Sequence, residues 1–242
     1  MIVAEGLAKR FGDVDAVRDV SFTAPDGRIT GLLGPNGAGK TTTLRIISTL
    51  VSPTRGRVVV DGLDNAKEPL AVRARIGMLS DARGLYGRLT ARENIAYYGA
   101  LRGLDAGALE ASIGRLADLL DMRALLGRRA EGFSQGERAK VAIARALVHD
   151  PPNVILDEPT NGLDVMTTRS LREVIRRLRA DGKCVLFSSH VMQEVSALCD
   201  EIVIVARGAV VARGTAEELR AASGRQDLED AFVHLSGEPL AP

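Results

Sequence analysis

Short runs rich in β-branched residues alternate with stretches of helical period, and Gly and Pro mark the joints. These runs predict strands over 17–24, 28–33, 58–60, 76–79, 154–156, 183–187, 202–205 and 209–212. The three richest lack a strict apolar/polar alternation, which predicts strands buried on both faces. Leu171, Val174, Ile175 and Leu178 recur at i, i+3, i+4 and i+7, the stripe of an amphipathic helix. That helix lies between two predicted strands, so the unit reads β-α-β and the sheet there parallel. From Thr90 to about Val148 the periodicity becomes almost wholly helical. Thr90 and Glu93 fit a capping box ahead of a helix over 95–101. Leu109, Ile113, Leu116 and Leu120 mark the face of a second helix. An all-helical stretch interrupting an α/β pattern predicts an inserted subdomain, about 84–148, within a domain over 1–220. Two short helix candidates follow Thr215, and 221–242 is expected to form a short C-terminal helical tail with no room for a large regulatory domain.

Composition narrows the class. The chain has 242 residues, 45% hydrophobic and 26% charged, with a net charge of +1. That is ordinary for a globular protein. The near-neutral balance argues against bulk nucleic-acid binding, which needs a basic field, and leaves room for local basic patches. No uninterrupted apolar run reaches the length of a membrane span, and residues 1–11 lack a signal-peptide core. The chain is therefore expected to stay in the compartment where it is made. Cys184 and Cys199 cannot build a disulfide framework or a four-ligand metal site, and read as small core residues in a reducing compartment. Aromatics are only 3%, which draws attention to any aromatic at a loop edge.

The clearest chemistry lies at Gly34-Pro35-Asn36-Gly37-Ala38-Gly39-Lys40-Thr41, a full phosphate-loop pattern. It follows a predicted strand and opens a helix carrying Leu44, Ile47 and Leu50, which is the context the motif needs. The glycines let backbone N–H groups converge on phosphate oxygens, and the helix N-terminus adds favourable partial charge. Lys40 would reach the β and γ phosphates, and the Thr41 hydroxyl would take one Mg²⁺ position. By itself the loop also fits a Gly-rich turn with a solvated Lys. A second feature is Val154-Ile155-Leu156-Asp157-Glu158, an apolar strand ending in two carboxylates. Beside a phosphate loop, Asp157 takes the metal role and Glu158 orients and deprotonates the attacking water. Without the loop it would read as a strand entering an acidic turn.

Phe133-Ser134-Gln135-Gly136-Glu137, Asn161-Gly162-Leu163-Asp164 and His190 complete an ordered set. With the loop and the acidic strand, this set resembles the ATP-binding subunit of ABC transporters, from about Ile2 to Leu219. The stretch 77–94, with Gly84-Leu85-Tyr86 and Arg88-Leu89-Thr90, is most similar to the NatA type, which serves sodium-extruding and related ABC-2 exporters. The resemblance implies an α/β fold, a P-loop NTPase of the ABC ATPase type, with a mixed sheet core and an inserted all-helical subdomain. It implies ATP as substrate, Mg²⁺ as cofactor, and Thr42 beside the loop residues in holding phosphate. It implies a homodimer in which Ser134 and Gly136 of one copy cap the ATP held by the other, although Ser134-x-x-Glu137 also fits a plain capping box. His190 would bond the γ-phosphate and hold Glu158 and the water. Asp164 would face the dimer interface, and it also suits the cap of a helix over 165–180. Phe11 stands where the family stacks an aromatic on adenine, with core packing as the alternative.

Three positions depart from the family. Asp81 replaces the usual Gln that touches Mg²⁺, and reads either as a metal ligand or as a turn residue pointing away. Gln135 and Glu137 stand where Gly and Gln are commoner. With Glu158 and His190 intact, the resemblance still implies ATP hydrolysis coupled to separate integral-membrane permease subunits. The chain would sit peripherally on the cytoplasmic face of the cell membrane, most simply in an exporter, with no nucleic-acid partner. The competing readings are a soluble ABC ATPase driving an assembly process such as iron–sulfur cluster biogenesis, a DNA-maintenance or translation ABC protein, and a non-hydrolysing nucleotide sensor.

Overall fold

The computed structural model describes residues 1–80 and 84–237. Within them the strands are β1 (Ile2–Phe11), β2 (Val14–Ala24), β3 (Ile29–Leu33), β4 (Arg55–Val60), β5 (Leu63–Asp64), β6 (Ile76–Leu79), β7 (Asn153–Asp157), β8 (Cys184–Ser189), β9 (Glu201–Ala206) and β10 (Ala209–Gly214). The helices are α1 (Lys40–Ile47), α2 (Pro69–Arg75), α3 (Ala91–Leu101), α4 (Ala106–Leu119), α5 (Gln135–Leu147), α6 (Val165–Ala180), α7 (Met192–Leu198), α8 (Ala216–Ser223) and α9 (Leu228–Ser236).

One mixed sheet runs β5-β4-β1-β2-β10-β9-β3-β8-β7-β6. The β9-β3-β8-β7-β6 half is parallel, because helices separate its strands along the chain. The β5-β4-β1-β2 half is antiparallel, with β1 and β2 joined through a turn at Gly12-Asp13. β10 joins the halves, antiparallel to β9 and bridged to β2 at Ala209 and Asp19. The predicted parallel sheet is therefore one half of a larger mixed one. β1 was not predicted. Its register shifts between Ala4 and Leu7 and again before Lys9, so its buried residues lose the period of two. The strand expected from residue 17 begins at Val14, whose first residues face solvent and carry no apolar pattern.

Strands β3, β7 and β8 are buried at every position, which explains their missing alternation. Leu32, Ile155, Leu186 and Val203 point to one face and pack with Leu44, Ile46 and Ile47 of α1 and with the antiparallel strands. Leu33, Leu156, Phe187 and Ile204 point to the other face, toward α5, α6 and α7. Burying each such side chain contributes about 1.5–3 kcal/mol. The α6 stripe Leu171, Val174, Ile175 and Leu178 is buried as its spacing predicts. Between β6 and β7 the described residues hold α3, α4 and α5 but no strand of the sheet, and the capping boxes at Thr90/Glu93 and Ser134/Glu137 both form. α9 buries Leu228, Ala231 and Phe232 in the same core as α7 and β9.

Both cysteines are free thiols, and burial pushes Cys184 up to about 12 and Cys199 upward as well. Among the described residues no helix is long and apolar enough to cross a membrane.

Candidate active site

Strand register assembles the site. Ser188 of β8 is level with Leu32 of β3 on one side and with Asp157 of β7 on the other. The phosphate loop after β3, the acids closing β7 and His190 after β8 therefore emerge side by side at the carboxyl ends of parallel strands, where open α/β sheets bind ligands.

The loop lies hard against its neighbours. A Cβ at Gly34 would sit 2.2 Å from the Val205 carbonyl oxygen. Gly39 has φ 101° and a Cβ there would sit 2.5 Å from the Ala16 carbonyl oxygen, so both steric room and conformation demand glycine. Gly39 caps α1, and Lys40 follows as its first residue, only 5% exposed. The Lys40 ammonium donates to the carbonyls of Gly34 at 2.6 Å and Pro35 at 3.2 Å, and lies 3.3 Å from Glu158 Oε1. A buried charge needs such partners. Thr41 Oγ1 donates to Asp157 Oδ1 at 3.2 Å. Asp157, at 1% exposure, also accepts the Ser188 hydroxyl at 2.7 Å.

Glu158 has φ 45°, a left-handed step straight after β7. Its N–H donates to Ser188 Oγ at 3.0 Å, and its Oε2 is 2.9 Å from His190 Nδ1. A carboxylate only accepts, so the shared proton belongs to Nδ1. Glu158 thus bridges Lys40 and His190 through its two oxygens. These groups open on a cavity of about 630 Å³ lined by residues 35–42, Val14, Asp15, Ala16, Glu158, Asn161 and His190.

Other expected residues lie elsewhere. Phe11 is 47% exposed at the end of β1, with the Lys9 ammonium 4.9 Å above its ring. It is not in the core and does not line the cavity, but it pairs across the hairpin with Val14, which does. Ser134 and Gly136 begin α5 outside the cavity of their own chain. Ser134 Oγ accepts the Glu137 N–H at 3.2 Å, while the Glu137 carboxylate accepts the Ser134 N–H at 2.8 Å. Asp164 caps α6, accepting the Thr167 N–H at 2.9 Å and its hydroxyl at 2.7 Å, and these bonds hold its carboxyl below the usual range. The Gln135 side chain rests on Gly162, whose Cβ position would be 2.7 Å from Gln135 Oε1. Asp81 lies outside the described residues.

Sequence reasoning missed Val14, Asp15 and Ala16, which wall the cleft from β2, and assigned Ser188 no role. An exposed Val beside the Gly12-Asp13 turn was the available signal for the first group. For Ser188 there was none, because its partners lie 31 and 30 residues away.

Comparison with known proteins bears on what this geometry serves. A model of the family described as ABC transporter matches residues 17–161. The chain is 46% identical over 238 residues to the ABC transporter ATP-binding protein NatA of Bacillus subtilis (strain 168), covering 96% of this chain and 97% of that protein. It is 35% identical over 214 residues to the Nod factor export ATP-binding protein I of Bradyrhizobium diazoefficiens, covering 88% and 70%. Its fold is similar to a dimeric structure of the ATP-binding cassette MJ0796 in a post-hydrolysis state bound to ADP and Pi, with TM-score 0.81, 25% identity, and 89% and 98% of the two chains covered. Motif order, sheet topology and these likenesses agree, and the chain belongs to the ABC transporter family as an ATP-binding subunit.

Proposed function

We propose that this ATP-hydrolysing subunit works as a pair of copies under a separate membrane permease, most simply in an exporter of sodium or another ABC-2 cargo. The observation that carries the catalytic reading is Glu158, placed between the Lys40 ammonium and the His190 imidazole at the mouth of the phosphate loop. A water between Glu158 and the γ-phosphate gives its proton to the carboxylate as its oxygen attacks phosphorus in line, and the bond to the β,γ-bridging oxygen breaks to release ADP and inorganic phosphate. His190 Nδ1–H holds the carboxylate, and Nε2 takes no part in that contact. Lys40 exchanges loop carbonyls for phosphate oxygens, which are stronger partners. The amides of Gly34, Pro35, Asn36, Gly37, Ala38 and Gly39, with Thr42, cradle the phosphates.

Thr41 and Asp157 bring two hard oxygen donors within 3.2 Å on facing elements, a donor set that fits a magnesium-type cation. Those residues would hold Mg²⁺, whose charge would there offset that of the phosphates.

Ser134 and Gly136 take the second phosphate site, serving the ATP of the partner copy. Their place outside their own cavity supports this, as does the dimeric arrangement named for MJ0796. Asp164 faces the pair interface and Phe11 the adenine. The working division is an ABC ATPase domain over 1–220, a helical subdomain about 84–148 inserted in it, and a C-terminal segment 221–242. The exposed Tyr86, Tyr97 and Leu101 of the helical part support a permease docking face there, and on this reading the chain works at the cytoplasmic face of the membrane. No observation favours a soluble assembly ATPase.

Glu158→Gln tests the reading. Turnover is expected to fall at least about 100-fold while ATP-driven pairing persists on gel filtration. Wild-type turnover in that variant would remove Glu158 from the role of base.

A further inference from the structure

Glu194 of α7 stands four residues beyond His190 and is only 6% exposed. A carboxylate is buried at this depth only when its oxygens are partnered. Here the partners come from both catalytic loops. Oε2 accepts the Thr160 hydroxyl at 2.6 Å and the Ser189 hydroxyl at 3.1 Å. Oε1 lies 3.8 Å from the Arg172 guanidinium of α6. Thr160 comes two residues after Glu158, and Ser189 immediately precedes His190. Ser189 Oγ also accepts the Val191 N–H at 3.0 Å, so one hydroxyl pins the chain on both sides of His190.

The turn that holds Thr160 also holds Glu158. The Asn161 N–H donates to the Glu158 carbonyl at 3.2 Å, and the Leu163 N–H to the Thr160 carbonyl at 3.1 Å. Glu158 itself sits at φ 45°, a left-handed conformation that survives only where its surroundings enforce it. Hydrogen bonds to a charged oxygen are the short, strong kind suited to that task. The Glu158–His190 contact at 2.9 Å therefore has a buried anchor beneath it.

We propose that Glu194 is a positioning residue: one carboxylate oxygen clasps Thr160 and Ser189 and so sets the spacing of Glu158 and His190 that hydrolysis uses. This rests on the reading of Glu158 as the base. Displacing such a pair by about an ångström costs up to about 100-fold in rate without weakening nucleotide binding, which the phosphate loop supplies.

The test compares Glu194→Leu, Glu194→Gln, Thr160→Val and Ser189→Ala by kcat, KM for ATP with Mg²⁺, and melting temperature. Glu194→Leu and Thr160→Val are expected to lose about 10–100-fold in kcat with KM within about twofold. Glu194→Gln keeps an acceptor oxygen for both hydroxyls and is expected to stay within about threefold of wild type. If Glu194→Leu does not fold, Thr160→Val and Ser189→Ala carry the same test at nearly constant shape. Wild-type kcat in a folded Thr160→Val would overturn the proposal. So would parallel losses of kcat, ATP affinity and melting temperature, which mark a core polar residue only. Adding Thr160→Val to Glu158→Gln separates the two readings. No further loss is expected if Glu194 acts through Glu158, and a multiplied loss rejects the proposal while leaving Glu158 as base. Failure of the base itself shows in Glu158→Gln alone.

Discussion

Glu158 and Lys40 gain their geometry from settings that a free side chain would avoid. The left-handed step at Glu158 turns its carboxylate off the path of β7 and toward the phosphate loop, and the Ser188 hydroxyl holds the step by accepting its N–H. The Lys40 ammonium is buried with two carbonyls and a carboxylate around it, so its charge is held in place within the loop proposed to bind phosphate. His149 shows the opposite case, a half-buried titratable group away from the cleft. Burial, aided by the Arg102 charge, pushes its pKa from the ordinary 6.5 to about 4, and its Nε2 lies 3.2 Å from the Ile76 carbonyl oxygen. Between those values the unfolded chain binds the proton and the folded one does not, so stability falls as pH drops from 6.5 to about 4. Melting curves across that window are expected to show a shallower loss for His149→Gln than for wild type. Identical slopes would assign the acid sensitivity to other groups.

Helix starts are the elements on which phosphate chemistry turns. α1 begins at the loop and α5 begins just after its cap Ser134, and in the proposed pair the two serve different nucleotides. Ser134 caps α5, and the proposed pairing gives it a second duty, meeting the partner's phosphate; substitutions separate the two. Ser134→Ala removes the cap at about 1 kcal/mol and also removes the hydroxyl. Ser134→Asp keeps the cap and places a carboxylate where a phosphate must come. The expected result is restored melting temperature with turnover still lost, read by calorimetry beside a phosphate-release assay. Full turnover in Ser134→Asp would leave Ser134 a cap alone. The Gln135 side chain rests on Gly162 and so joins this helix start to the segment leading into α6.

At the scale of the molecule, the mixed sheet separates two cores, and the catalytic strand ends meet where both finish. One copy presents a cleft open to solvent and, elsewhere on its surface, the start of α5. Under the proposed pairing, full charge stabilisation needs a second copy, and ATP links the two. Specific activity is expected to fall as the protein is diluted through the dissociation constant of the ATP-bound pair, and to recover on concentration. A rate per chain that stays constant, with size measurements showing only single copies, would contradict the composite site.

The sequence by itself determined what neighbouring residues decide. The loop from Gly34 to Thr41 is contiguous, the capping boxes span four residues, and the α6 stripe needs only helical period, so each was legible without a fold. The β1 strand was not, because its bulges erase the period of two. The contacts of the site were not legible in geometry either. Thr41 reaches Asp157 across 116 positions, and Thr160 reaches Glu194 across 34. Such pairings depend on the register of β3, β7 and β8 and on the turn after β7. Only the packed sheet, buried on both faces, specifies that register, because a slip of one residue would reverse every side chain in it.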